Sequence, residues 1–262
     1  MSDWIHNLPV PWMALVVFGF TYLLAAGTFA VVAALANEQL TKSFKAISPG
    51  MLPVLGIIFG LFVAFTAAQV WADNDRAGAA VSREASALRA VTLLAAGLPA
   101  EQEARLQALV RSYVEQAASV EWPMMARQTA SLRAAPAPLA EALQLVVAMT
   151  PQGPGQQTAQ REIVTALGAA LDARRQRIIV SQAEVNPVKW WCLYLQAFCE
   201  LLVIALVHCD NRLTSAIALG LFATGVAASV LLIAAHDRPF TGQISIGPGP
   251  LLQIMPGELA KE

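Results

Sequence analysis

The chain has 262 residues, of which 56% are hydrophobic and only 13% charged, with a formal net charge of −1. An ordinary soluble domain carries about 25% charged residues, which argues against a single soluble globule, and the absence of a basic stripe or binding motif argues against nucleic acid as a partner. The deficit is concentrated. No Asp, Glu, Lys or Arg lies between Asp3 and Glu38, between Lys45 and Asp73, or between Arg212 and Asp237, and Glu200 is the only one between Lys189 and Asp210.

Each of these four windows is long enough to cross a bilayer, which takes roughly 20 mostly apolar residues. The first span is expected from about Trp12 to Ala36. A retained span is expected here and not a secretory leader, because "MSDWIHN" has no Lys or Arg and the apolar run is longer than a leader's. The second span contains "GIIFGLFVAFTAAQVWADNDR", apolar, small or uncharged polar as far as Ala72 and abruptly acidic at Asp73. Residues 1–72 therefore read as an N-terminal transmembrane pair.

Residues 73–187 have ordinary charge density and read as a helical domain with no strand alternation. A first helix over Ala77–Leu98 carries Val81, Ala85, Leu88 and Ala95 on one face. A second, Glu101–Ala118, carries Leu106, Leu109, Val110, Tyr113 and Val114, with Pro99 and Glu101 in its first turn. A shorter helix over Pro136–Met149 carries Leu139, Leu143 and Val146, after which "TPQGPGQQ" breaks the chain. The last, Thr158–Glu184, carries Val164, Leu167, Leu171, Ile178 and Ile179, and Pro187 ends it. Arginines and acids balance, eleven each from Asp73 to Glu184, and "DARRQR" is the one local excess. It reads first as a solvated helix face. Its sharper reading places Arg174 and Arg177 at the membrane junction, near anionic headgroups.

Residues 188–236 read as the second transmembrane pair. Leu213–Ala235 is rich in Ala, Gly and Ser, which allow helices to approach closely in lipid. Trp12, Trp71, Trp190 and Trp191 all fall at expected membrane boundaries, where tryptophan is favoured. Cys192, Cys199 and Cys209 lie in or beside the third span and form no disulfide framework; Cys192 and Cys199 share a helix face and pack there. Residues 237–262 form a C-terminal tail, with Asp237 and Arg238 as anchors where the lipid ends, expected to pair with Asp73, Asp75 or Arg76. Pro239 stops the helix.

Lys42, Lys45 and Arg212 lie on one side of the membrane in this arrangement. Arg76, Arg83, Arg89, Arg174, Arg175, Arg177, Lys189 and Arg238 lie on the other. The heavier side is expected to be cytoplasmic, with both termini and the helical domain.

No catalytic constellation is present, so no enzyme is expected, and no cofactor or metal. His208, Cys209 and Asp210 are adjacent but point in different directions at a helix end, and "GPGP" lacks the strand and lysine of a phosphate loop. Polar groups inside the spans carry more weight. Glu200 is a costly intramembrane carboxylate that needs a cavity or a partner, with Gln69 and Thr66 as candidates.

Four stretches resemble a bacterial family of bestrophin-like membrane proteins of unknown function: "AGAAVSREASALRAV" with Val81, Glu84, Ala85 and Leu88; "RSYVEQAASVEWP" with Tyr113, Trp122 and Pro123; "ALDARRQRIIVSQAEVNPVKWW" with Arg174, Arg177, Pro187 and Trp190; and "AAHDRPFTGQISIGPGPLLQ". The resemblance runs along nearly the whole chain. More distantly, "LPVLGIIFGLFVAFTAAQVW" is similar to the pore helix of the bestrophins, pentameric anion channels whose second span lines the pore. A single Trp71 stands here where bestrophins have a tryptophan pair, and no acidic calcium clasp follows Ala235. The resemblance implies an all-α membrane protein of four transmembrane helices with an intervening cytoplasmic helical bundle. It also implies a homo-oligomer, small anions as permeants, and an inner-membrane location. Ile57, Leu61 and Phe65, at steps of four from Pro53, are then the expected pore lining. The same stripe suits packing against the subunit's own helices, and a non-conducting scaffold or sensor, whose helical domain binds a partner or lipid, is the alternative function.

Overall fold

A computed structural model describes residues 6–36, 41, 44, 50–133 and 135–255. Lys42, Lys45 and the end of the tail lie outside the described residues. Among the described residues the fold is all-helical: α1 (Val10–Leu35), α2 (Met51–Ala95), α3 (Ala100–Gln116), a π-helical turn (Ala117–Glu121), α4 (Trp122–Ala126), α5 (Ala137–Ala148), α6 (Pro154–Val180), α7 (Pro187–Val207), α8 (Arg212–His236) and the short α9 (Gly249–Leu252). α1, α2, α7 and α8 are long and apolar enough to cross a membrane.

The chain divides into two compact units. The first comprises Met1–Ala72 and Glu184–Asp237. Its core joins Met13 and Val17 of α1, Phe59, Ala67 and Val70 of α2, Leu193 and Ala197 of α7, and Val226, Ala227 and Val230 of α8. The helix starts follow from local chemistry. Pro187 and the Asn186 side chain, which accepts from the Val188 N–H, open α7; Asn211 accepts from the Thr214 N–H to open α8. The apolar spans also carry hydroxyls, and these bond back to their own helices: Thr21, Thr28, Thr66, Thr224 and Ser229 each donate to the carbonyl four residues back. A hydroxyl that bonds its own helix needs nothing from lipid.

The second unit comprises Asp73–Ala183 and Arg238–Glu262. Its core holds Val81, Leu88, Leu106, Val110, Tyr113, Met125, Leu139, Val146, Ile163, Leu167 and Ile178, with Phe240, Leu251 and Ile254 from the C-terminal segment. That segment is thus a packed part of this unit, with the Thr241 hydroxyl donating to the Ala126 carbonyl at 2.8 Å.

Three expectations from the sequence need correction. The helix expected over Ala77–Leu98 is not separate: α2 runs unbroken for 45 residues. "ADNDRA" ends the apolar run but contains no proline or glycine, and charge alone does not stop a helix. α3 also does not end near Ala118. The chain widens into a π turn, in which the Trp122 N–H reaches the Ala117 carbonyl five residues back, and then continues as α4. Pro123 accounts for the irregularity, since it has no N–H to give and its ring crowds the preceding turn. Finally, α6 begins inside "TPQGPGQQ" at Pro154, a residue suited to a first turn, and ends at Val180.

Leu88 is wholly buried in the second unit. Leu88→Ala should destabilise the purified protein by about 2–5 kcal/mol. Leu132→Ala, in an exposed position, should stay within about 0.5 kcal/mol. Thermal melting followed by circular dichroism reads both.

Candidate functional site

The second unit is built around a buried charge cluster. Arg177 on α6, wholly buried, extends its fork to Glu84 on α2, also wholly buried: Nε donates to Oε2 at 2.7 Å and Nη2 to Oε1 at 3.0 Å. Nη2 also donates to Glu121 Oε2, on the π turn, at 2.8 Å. Arg174, one turn earlier, donates to Glu121 Oε1 through Nε at 2.8 Å and lies within 2.7 Å of it through Nη2. The Tyr113 hydroxyl donates to Glu84 Oε1. Trp122 lies beneath the Arg177 guanidinium, 4.5 Å from ring centroid to Cζ, and its indole N–H donates to the Ile246 carbonyl at 2.9 Å. Phe240 meets the Trp122 ring edge to face at 5.9 Å.

The charges cancel, two arginines against two glutamates. Burial alone would weaken the hold of Arg177 on its proton, but the Glu84 carboxylate, joined by Tyr113 and Glu121, more than offsets that effect, and the guanidinium pKa stands above its ordinary value. Burial, reinforced by the Glu84 charge, pushes the Tyr113 phenol well up, so it remains a neutral donor. With its donors engaged, the cluster serves as a structural tie between elements.

The "DARRQR" expectation is therefore corrected for Arg174 and Arg177, which neither face solvent nor meet headgroups; Arg175 is the exposed one. A signal was present in the sequence. Ile163, Leu167 and Ala170 lead at helical spacing straight to Arg174 and Arg177, and all five are buried. Of the expected stripe, Leu167 and Ile178 are buried, while Val164 and Leu171 are only half-buried and Ile179 is exposed. Glu121 had no signal, because the π turn decides where it points.

In the first unit the stripe expected on α2 is not packed against the subunit's own helices. Ile57, Leu61 and Phe65 are 69%, 54% and 68% exposed, and the opposite face, with Phe59, Thr66, Ala67 and Val70, is buried. Glu200 is only 5% exposed, and its Oε1 would lie 3.2 Å from a Cβ placed on Gly56 of α2. The two candidate partners are engaged elsewhere. Gln69 accepts from the Lys189 ammonium, and Thr66 donates to the Phe62 carbonyl at 2.8 Å. Asp237 is buried and accepts from the Val185 N–H at 2.6 Å, with His6 Nε2 at 3.5 Å. Asp73 is bonded by Arg76, one turn on. Arg238 is buried and opens the C-terminal segment of the second unit. His208 turns its Nδ1 to the Ile204 carbonyl, and Cys199, expected to pack with Cys192, is exposed.

Arg177→Met leaves two buried carboxylates short of their cation and should cost about 3–5 kcal/mol. Arg177→Lys should recover little, because an ammonium cannot bridge two carboxylates as a planar fork does. Arg175→Gln should be nearly silent. Melting temperatures of the three variants test the ranking.

The sequence matches the bestrophin-like domain over residues 19–251. Among solved structures, a variant of a bacterial bestrophin homologue from Klebsiella pneumoniae is similar with a TM-score of 0.68 at 16% identity, over 92% of this chain and 97% of that one. Another structure, described as a membrane protein, gives 0.67 at 15% identity over 90% and 95%. At such identities the likeness is one of fold. A search of the curated proteins gave no match. With a domain match over most of its length and the same fold in a bacterial homologue, the chain belongs to the bestrophin-like family.

Proposed function

We propose that the protein is an anion-permeable channel of the inner membrane, built as a homo-oligomeric ring in which α2 lines the pore. The bestrophin resemblance implies five subunits. Ile57, Leu61 and Phe65 form the narrowest part, the second unit and both termini are cytoplasmic, and Asp237 and Arg238 mark the junction where the lipid ends. The observation that carries the reading is the exposed stripe on α2. Its three residues stack at steps of four on a face that no described helix of the same chain covers, and the bestrophin resemblance implies a second span at the pore axis. Of the four apolar helices, α2 is the least covered by the rest of the chain. A ring of such side chains makes a neck that conducts only when wetted, so it gates by excluding water. Orientation rests on the distribution of Lys and Arg across the spans.

Two experiments test this reading. A reporter active only in the cytoplasm, fused after Glu262, should be active, and a periplasmic reporter at the same place should be silent; the reverse result overturns the orientation. Leu61→Ala removes bulk from the middle of the neck while keeping the helix. It should raise chloride flux into liposomes on the order of tenfold, the effect of a barrier lowered by about 1.4 kcal/mol, with assembly intact. Zero flux in both proteins, together with a monomer or dimer, would favour the scaffold or sensor instead.

A further inference from the structure

Glu200 is the one acidic residue inside the apolar helices of the first unit, and it is buried by its own chain. Its Oε2 has no hydrogen-bonding partner among the described residues. Neither does Oε1 of Gln196, a half-buried residue one turn earlier on the same face of α7 whose Oε1 is itself shielded from solvent. Two buried acceptors side by side need a donor between them.

Among the described residues no cation faces them. Asp, Glu, Lys, Arg and His are absent from α1, from the Met51–Ala72 part of α2, and from α8 between Arg212 and His236. On α7, Lys189 lies about three turns away and donates to Gln69, and His208, about two turns on, is directed at the Ile204 carbonyl. Among the other titratable groups, the Tyr22 hydroxyl bonds Thr224, Tyr194 packs against Trp190, Cys192 is half-buried, Cys209 lies beyond the end of α7, and Cys199 is exposed. On the remaining side stands Gly56, where even a methyl group would press on Glu200 Oε1. An ionised carboxylate here would have neither a counter-charge nor room for a hydration shell.

We infer that Glu200 is an intramembrane protonation site: the ligand is a proton, held as the neutral acid, with the Glu200 O–H donating to Gln196 Oε1 and the Gly56 backbone leaving the space that the carboxyl fills. The donor that two orphaned acceptors require is supplied by a single proton. Gly56 is glycine because α2 comes this close to the acid. The inference stands on the first unit alone and holds whether or not α2 lines a pore.

Infrared difference spectroscopy tests it, on protein purified in a detergent without ester groups. At pH 8 the wild-type protein should show a carbonyl-stretch band of a protonated carboxylic acid that shifts in D2O and is lost in Glu200→Gln. Gln196→Leu should keep the band but move it to higher frequency, as the hydrogen bond is lost, and Gly56→Ala should shift it through the crowded Oε1. Glu200→Gln, the nearest neutral mimic of the acid, should assemble and melt like the wild type. No difference between wild type and Glu200→Gln in the acid-carbonyl region would overturn the inference, since Glu200 would then be a carboxylate, accepting from a rotated Gln196 amide or from water. A Glu200→Gln protein that cannot fold would overturn it as well, because the charge would then be what the fold requires.

Discussion

Arg177 carries a full charge at a position with no solvent, and the second unit is arranged so that this charge is settled. An isolated buried ion is prohibitive, and a buried pair becomes tolerable only with good geometry and satisfied hydrogen bonds. Glu84 takes the fork in a bidentate grip, Glu121 takes what is left, Tyr113 occupies a remaining carboxylate lone pair, and the Trp122 ring covers the guanidinium face. Glu84 comes from one stretch of sequence, Tyr113, Glu121 and Trp122 from a second, and Arg177 itself from a third. The four stretches that carry the family resemblance are far apart along the chain, yet three of them meet here directly. The fourth arrives through Phe240 against Trp122 and through the Ile246 carbonyl on the indole N–H. The motif residues therefore specify one charged knot, and an apolar replacement for any single one of them would strand its neighbours.

The first unit meets its polar groups in the opposite way. Its hydroxyls bond back to their own helices, its boundary lysine takes an uncharged amide, and no guanidinium is found in its core. A bilayer offers no solvent to share the cost of an ion, so neutrality is the cheaper arrangement wherever a proton can provide it. Arg177 can be ionised because Glu84 and Glu121 are within 3.0 Å; Glu200 has no such neighbour.

The spans were legible to within a few residues, because a bilayer demands a length of apolar chain that little else requires, and because Pro187, Asn186 and Asn211 punctuate their starts. The helices of the second unit were legible as helices but not in their limits. α2 continues past Ala72 since a change of polarity is not a change of backbone, and the π turn at Ala117–Glu121 arises from Pro123 acting on residues before it, which no periodic pattern records. The buried face of α6 was only partly legible for a related reason. A stripe is read from its apolar members, and here the buried face ends in two arginines, whose burial is determined by Glu84 and Glu121 from other parts of the chain.

The α2 stripe raises the same issue at the candidate site. Its spacing was plain, but an apolar face at steps of four looks identical whether it packs on a neighbour or lines a ring. Tertiary structure leaves Ile57, Leu61 and Phe65 uncovered by their own chain, while Phe59, Ala67 and Val70, on the reverse face, supply the packing. α2 thus has two jobs on two faces. The reverse face must hold the helix in its unit, through apolar contact and through the close approach at Gly56, so that the exposed face can present a constant surface. A pore wall made of flexible apolar side chains keeps its radius only if the helix behind it cannot rotate. In the proposed ring, the close approach at Gly56 and the buried Phe59 on the reverse face would restrain that rotation.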